Sequence, residues 1–254
     1  MCRTKVKVIA TAVTGRKHLS ANRECEDVVL SQRGRRWKTS SIVLADGAGS
    51  ATHARIGAQF SVNLICDNAE RLLESTDENP RLADSIISLL KSGLAEIATK
   101  HSVDVKQLAS TLLFVCVKMK KQKLHFLAGH LGDGVIGLTV EGRTDVLSKP
   151  DNGEFVNSTT FTTSANSGSS LRLYRGVLEK PTGFILMSDG ASNSLYDNHR
   201  AILAPVCGKL MDLLRRLSQK RAARALKTNV EVGLRPETTD DCSLALLYWT
   251  AGKR

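Results

Sequence analysis

Three apolar runs in this chain stop on an Asp-Gly pair, and each reads as the end of a buried strand. Ile42 to Ala45 runs into Asp46-Gly47, Leu124 to Leu131 approaches Asp133-Gly134, and Phe184 to Met187 leads to Asp189-Gly190. A fourth acidic site, Asp240-Asp241, opens the last apolar run, Leu244 to Trp249. Carboxylates at the ends of buried strands are placed to converge on one point, and converging carboxylates repel unless cations hold them. Oxygen-only ligands suit hard ions such as magnesium or manganese. Two such ions sharing a carboxylate make a hydrolytic site for phosphate esters. A single Asp-Gly is ordinary turn chemistry. Three that end apolar runs, with a paired Asp at another strand edge, favour the metal site.

The remaining composition narrows the choice. A chain of 254 residues with 42% hydrophobic content can bury one sizeable core, so residues 1–254 are expected to form a single domain. No run reaches the roughly 18 to 20 apolar residues of a membrane span. The apolar stretch Val8 to Val13 is too short for a signal peptide. Six cysteines, at 2, 25, 66, 116, 207 and 242, show neither a CxxC pair nor zinc spacing. They read as buried thiols of a reducing compartment, which makes the cytoplasm the expected location.

A formal charge of +11 and a pI near 9.6 invite a nucleic-acid reading. The basic residues are not interleaved with aromatics, however, and no recognition motif appears, so no nucleic-acid partner is expected. The densest basic cluster, Arg215, Arg216, Lys220, Arg221, Arg224 and Lys227, falls on one expected helix with Leu210, Leu213, Leu214, Leu217 and Ala225 opposite. That pattern describes a solvated helix face. It could also steer acidic or phosphorylated partners, or serve as a docking surface.

Lys5 to Thr14 and Val28 to Ser31 read as strands, and Arg33 to Lys38 as a basic hairpin turn around Gly34. A long helix should follow Asp46, capped near Ser50 or Thr52 and burying Ile56, Phe60, Leu64 and Ile65. Pro80 marks the start of a second, with Leu82, Ile86, Leu89, Leu90, Leu94 and Ile97 on its buried side. Strands are expected at Thr111 to Lys118, Lys123 to Gly129 and Val135 to Val140, then a long loop from Ser148 to Ser170. The last third reads as strand, basic helix, strand. Two strand groups with two helix pairs fit a layered α+β domain.

An ordered series of short motifs accompanies this pattern. It runs Gly15-Arg16-Lys17-His18, Cys25-Glu26-Asp27, Ala45-Asp46-Gly47-Ala48-Gly49-Ser50 with Gly57-Ala58, and Ser110-Thr111-Leu112-Leu113. It continues through Gly132-Asp133-Gly134, Asn157 to Thr163, Met187-Ser188-Asp189-Gly190, and Thr239-Asp240-Asp241-Cys242-Ser243. Each motif alone is weak; in this order and spacing the series resembles the metal-dependent Ser/Thr protein phosphatases of the PPM (type-2C) family, in its compact bacterial branch.

The resemblance implies a four-layer α-β-β-α sandwich, two antiparallel sheets flanked by helix pairs, with two Mn2+ or Mg2+ ions at one end. Asp46 would bridge the ions, the Gly47 carbonyl would ligate one of them, and Asp189 and Asp240 would hold the second. Glu26 and Asp27 would bind metal directly or through water, and Asp133 would belong to a third, weaker position. Two-metal activation of water would hydrolyse phosphoserine and phosphothreonine in proteins, opposing a Ser/Thr kinase. The alternative implied by the same fold is a catalytically weak module that binds phosphoproteins for signalling.

Three positions depart from the family's pattern. Ala48 stands where many members carry a His proposed as the general acid, which leaves His18 and His53 as the nearest candidates, His18 the one assigned here. Asn22 stands where some members carry a phosphate-gripping Arg, with Arg23 beside it as the candidate substrate contact. Asn193 replaces an Asp of the third metal position, so a third ion should be weak or absent.

Overall fold

The computed structural model describes residues 5–33, 39–151 and 159–250. Two five-stranded sheets, antiparallel throughout, face each other. The first has the order β2-β3-β4-β5-β8: β2 (Val28–Arg33), β3 (Thr39–Ala45), β4 (Leu112–Lys120), β5 (Lys123–Leu131) and β8 (Arg172–Leu178). The second has the order β1-β12-β9-β6-β7: β1 (Lys5–Val13), β12 (Cys242–Thr250), β9 (Thr182–Met187), β6 (Val135–Val140) and β7 (Arg143–Ser148). A small ribbon joins β10 (Tyr196–Asp197) to β11 (Ile202–Leu203). This is the expected four-layer sandwich.

Strands covered on both faces are buried along nearly their whole length, which is why β3, β9 and β12 carry the apolar runs Ile42 to Ala45, Phe184 to Met187 and Leu244 to Trp249. Alternate side chains then enter different cores. On β4, Leu112, Phe114 and Cys116 pack against the helices, while Leu113, Val115 and Val117 pack between the sheets. On β9, Ile185 and Met187 face helices, and Phe184 and Leu186 face the other sheet. Phe184 meets Phe126 across the interior at 5.2 Å between ring centres.

Helices α2 (Ala54–Glu74) and α3 (Asn79–His101) cover the first sheet. The second is covered by α5 (Asp189–Leu195), α6 (Pro205–Arg216) and α7 (Gln219–Asn229). Two short helices, α1 (Arg16–Ser20) and α4 (Ser167–Ser170), lie in connections. Among the described residues no helix is long and apolar enough to cross a membrane.

Several expectations shift in detail. The first long helix starts at Ala54 with His53 at its cap; Thr52 is taken by Gln107, whose Oε1 accepts from the Thr52 amide at 2.8 Å. Its fully buried face carries the small residues Gly57, Ala58 and Ser61 along with Ile65, whereas Ile56, Phe60 and Leu64 are half-buried. On α3, Leu89 is 39% exposed and Ile97 half-buried, while Ala83 and Ile87 are buried. The basic helix is two helices: Leu217 is extended, and Ser218 caps α7. Lys7 donates to the carbonyls of Leu214, Arg215 and Leu217, satisfying the end of α6. The expected long loop is shortened at both ends, because Ser148 closes β7 and Ser167–Ser170 is helical. The Gly34 turn, Asn157 and Cys2 lie outside the described residues.

Phe114 has no exposed surface, and its ring lies where a side chain on Gly129 would otherwise sit. Phe114→Ala is therefore expected to cost about 3–5 kcal/mol, read as a lowered urea midpoint at unchanged slope.

Candidate active site

Antiparallel register brings the acidic motifs together. Val28 pairs with Ala45, Leu112 with Leu131, Val135 with Met187, Leu244 with Met187, and Val13 with Cys242. The ends of β1, β3, β5 and β9 and the starts of β2, β4, β6 and β12 thus share one edge of the sandwich. A cavity of about 140 Å³ opens there. Eight of the nine sequence-predicted site residues line it: His18, Arg23, Glu26, Asp46, Gly47, Asp133, Asp189 and Asp240. The ninth, Asp27, is buried and not part of the lining, yet close enough for its charge to act on Asp46.

Asp46 extends β3 by one residue. Its amide donates to Thr111 Oγ1 at 3.0 Å and its carbonyl accepts from the Thr111 amide at 2.8 Å. Gly47 continues the line in a bridge to Ser110. Asp189 opens α5, and Asp133 sits in the β5–β6 turn, where Thr159 Oγ1 donates to its Oδ2 at 2.6 Å. Asp240 is exposed, and Asn193, at the third-metal position, is exposed as well.

Asp241 does something different from its neighbour. It is 3% exposed, and its carboxylate accepts from the Gly15 amide at 2.7 Å, the Glu26 amide at 2.6 Å and His18 Nδ1 at 3.0 Å. One side chain therefore fixes the loop carrying α1 and the approach to β2. Two glycines allow the approach: a Cβ at Gly15 would lie 2.3 Å from the Asp240 carbonyl, and one at Gly190 would lie 2.2 Å from the Asp241 oxygen. His18 is buried, and its Nε2 stands 3.9 Å from Glu26 Oε2. Arg23 donates to Glu26 Oε1.

The electrostatics of this edge are those of crowded acids. Burial pushes the Asp27 carboxyl up to about 7, with the charges of Asp241 and Asp189 adding to it. Burial pushes Asp189 up to about 6, with Asp133 and Asp240 adding repulsion. Asp46 is held well above the usual carboxylate range, first by burial and then by Asp27 and Asp189. Both carboxylate oxygens of Asp27, and Glu26 Oε2, are buried without a well-formed hydrogen bond, although the Ser243 hydroxyl and the Asp46 carboxyl stand close enough to ease Asp27. A buried carboxylate in that condition is costly unless a cation pairs with it.

Among the described residues no three acidic, imidazole or thiol groups are already drawn into a ligand cluster. What fits a metal here is the donor chemistry: hard oxygens, several unpartnered, suited to Mg2+ or Mn2+. Thiols take no part. Burial raises the Cys25 thiol, and it raises Cys242 to about 12, with Asp27 adding to both. The five described cysteines are free.

The lining residues absent from the predicted site are Lys17, Ala48, Gly49, Thr111, Phe161 and Asp241. Lys17 lines the cavity from α1. Phe161 packs on a small apolar patch of Ala48, Ala51, Ala54 and Ala109. Thr111 lay inside a recognised motif, but its hydroxyl partner becomes visible only once β3 and β4 are paired.

The sequence profile described as Protein phosphatase 2C matches residues 14–231. The chain belongs to the protein phosphatase 2C family. Membership places this phosphatase among the serine/threonine protein phosphatases. It is 23% identical to serine/threonine-protein phosphatase 3 of Escherichia coli (strain K12), over 96% of this chain and 98% of that one. Among solved structures, a bacterial serine phosphatase superposes with a TM-score of 0.65 at 15% identity, covering 98% of this chain and 100% of that one. The catalytic domain of the serine threonine protein phosphatase PstP in complex with 2 manganese ions gives 0.56 at 14% identity, covering 97% and 100%. These structural likenesses carry the fold.

Two outcomes follow from the geometry. Asp241→Ala removes three hydrogen bonds, one of them to a metal-ligand candidate's amide, and should lower Tm by several degrees; Asp240→Asn, on an exposed side chain, should leave Tm nearly unchanged yet weaken manganese binding in calorimetry. In chelator, stability contributed by the raised carboxyls is present below their ordinary value of 3.8 and is lost as pH rises through about 6 to about 7. Thermal melts in chelator should thus fall across that window, and Asp27→Asn should flatten the fall.

Proposed function

We propose that this phosphatase hydrolyses phosphoserine and phosphothreonine in proteins, with two Mn2+ or Mg2+ ions held by Asp46, the Gly47 carbonyl, Asp189 and Asp240, and with Glu26 and Asp27 contributing directly or through water. The observation that carries this reading is Asp27, a buried carboxylate with no cationic partner and only the Ser243 hydroxyl and the Asp46 carboxyl near it, beside two further acids raised by burial and mutual repulsion. Bound there, the ions would supply Lewis acidity, offsetting phosphate charge and making water a better nucleophile.

The chain's own residues set the conditions for that chemistry. Thr111 holds the backbone of Asp46 from both sides, so the central carboxylate enters the cavity from a fixed strand end. Asp241 and His18 hold Glu26 through its amide and its side-chain flank. Arg23, on Glu26, and Lys17 bring positive charge to the rim, where an approaching phosphate monoester needs it. Asp133, engaged by Thr159, would hold a third ion weakly or not at all. The proposed setting is one domain over residues 1–254, acting in the cytoplasm against a Ser/Thr kinase.

His18 is the proposed acid for the leaving oxygen, with Ala48 unable to serve. Its Nδ1 is occupied by Asp241, which supports a positioning role as strongly. The two roles separate kinetically. General-acid help is worth about 10²- to 10⁴-fold and matters most for a poor leaving group. His18→Ala should then harm alkyl phosphates far more than nitrophenyl phosphate if His18 is the acid, and both equally if it positions Glu26.

The reading as a whole is tested on nitrophenyl phosphate and a phosphothreonine peptide. Turnover should require manganese or magnesium, and Asp46→Asn should lower it by more than about 10²-fold while leaving the circular dichroism spectrum near wild type. Robust turnover in excess chelator would overturn the mechanism.

A further inference from the structure

A much larger cavity, about 1140 Å³, lies away from the carboxylate cluster, between the second half of α2 and the first half of α3. Its floor is apolar: Leu72, Leu82 and Ile86 are nearly fully buried, while Leu89 stays 39% exposed at its edge. Its rim is acidic, with Asp67, Glu70, Glu74, Asp77 and Asp84 against Arg71 as the single cation among the lining residues. Lys118, reaching from β4, pairs with Glu70 and Glu74. Asp67, Asp77 and Asp84 have no lysine or arginine partner among the described residues. An acidic, apolar-floored groove on a chain of formal charge +11 is a local reversal of the molecule's own sign.

We propose that this groove docks a lysine- or arginine-bearing segment of the phosphoprotein substrate, with one apolar side chain of that segment seated against Leu89. Charge complementarity selects the occupant: acids that repel the anionic phosphate itself attract basic flanking residues, and the exposed leucine gives them an apolar anchor. This rests on the phosphoprotein reading above and adds where the substrate is held.

The groove is connected to the active site by one stretch of chain. Gly168, in α4, lies so close to α3 that a Cβ there would sit 2.7 Å from Asp84 Oδ1, and Lys91 on α3 donates to the Ala165 carbonyl at 3.3 Å. The same stretch carries Thr159, bonded to Asp133, and Phe161, which walls the cavity. From Ala54, near the cavity, to Asp67, at the groove, α2 rises about 20 Å at ~1.5 Å per residue. An extended peptide covers that in at least about six residues. The docking segment is therefore six or more residues from the phosphorylated one.

The test compares a short phosphothreonine peptide with the same peptide extended by a basic, leucine-containing segment placed about six to ten residues away on either side. The extension should lower KM by about tenfold with kcat unchanged, and the gain should shrink with salt. Leu89→Asp, and the double variant Asp77→Lys with Asp84→Lys, should erase the gain while leaving the short peptide and nitrophenyl phosphate untouched. Calorimetry with the unphosphorylated extension reads docking without catalysis, so docking and the phosphatase reading fail separately. Equal KM for both peptides, or a gain that survives charge reversal, overturns the proposal. A dimer in sedimentation that Leu89→Asp dissolves would also overturn it, by assigning the groove to a second copy.

Discussion

A cluster of carboxylates can be held at one edge of a protein only if something other than the carboxylates holds their backbone. Here that task falls on one acid outside the proposed ligands, Asp241, and on the amides and imidazole that donate to it. Its side chain is buried in the cavity wall and gathers two amides and an imidazole from the chain between β1 and β2. The loop that carries Glu26 and Asp27 is thereby tied to the bend that carries Asp240, just before β12. Gly15 and Gly190 are the steric counterpart, since any side chain at either would strike the backbone at 240–241. Repulsion among the acids is resisted by the hydrogen bonds that Asp241 accepts and by close packing behind them.

The local chemistry of the rim follows from what is missing around Asp46. Ala48 belongs to an apolar patch closed by Phe161, so a histidine there would have to displace packing as well as supply a proton. The cysteines, although two of them flank the acids, are held as thiols by burial and by neighbouring negative charge. Nucleophilic sulfur chemistry is thus suppressed by the field that favours a cation.

Much of the sandwich was legible because both faces of its central strands are buried. A strand covered on both sides cannot hide its boundaries: the apolar run stops where the cover stops, and at Asp46, Asp133 and Asp189 it stops on an acid. Other features left no such trace. The β4–β5 turn places Lys121 and Gln122 at φ of 49° and 64°, a left-handed pair with no glycine or asparagine to announce it. Strands β7 and β8 lie at sheet edges and are half-exposed, so no run of buried apolar residues marks them. The break between α6 and α7 falls inside a continuous amphipathic pattern, and only Lys7, from a strand 207 residues away, shows what terminates the first helix.

By itself the sequence determined the layers and the identity of the acids, because apolar periodicity and strand-ending Asp-Gly pairs are local properties written into neighbouring residues. Tertiary structure alone decided which groups those acids meet. The bonds from Asp241 to Gly15, His18 and Glu26 span more than 200 residues, and the groove between α2 and α3 exists only because two helices pack side by side. Contacts of that range depend on register and packing across the whole molecule, and no window of the chain contains them.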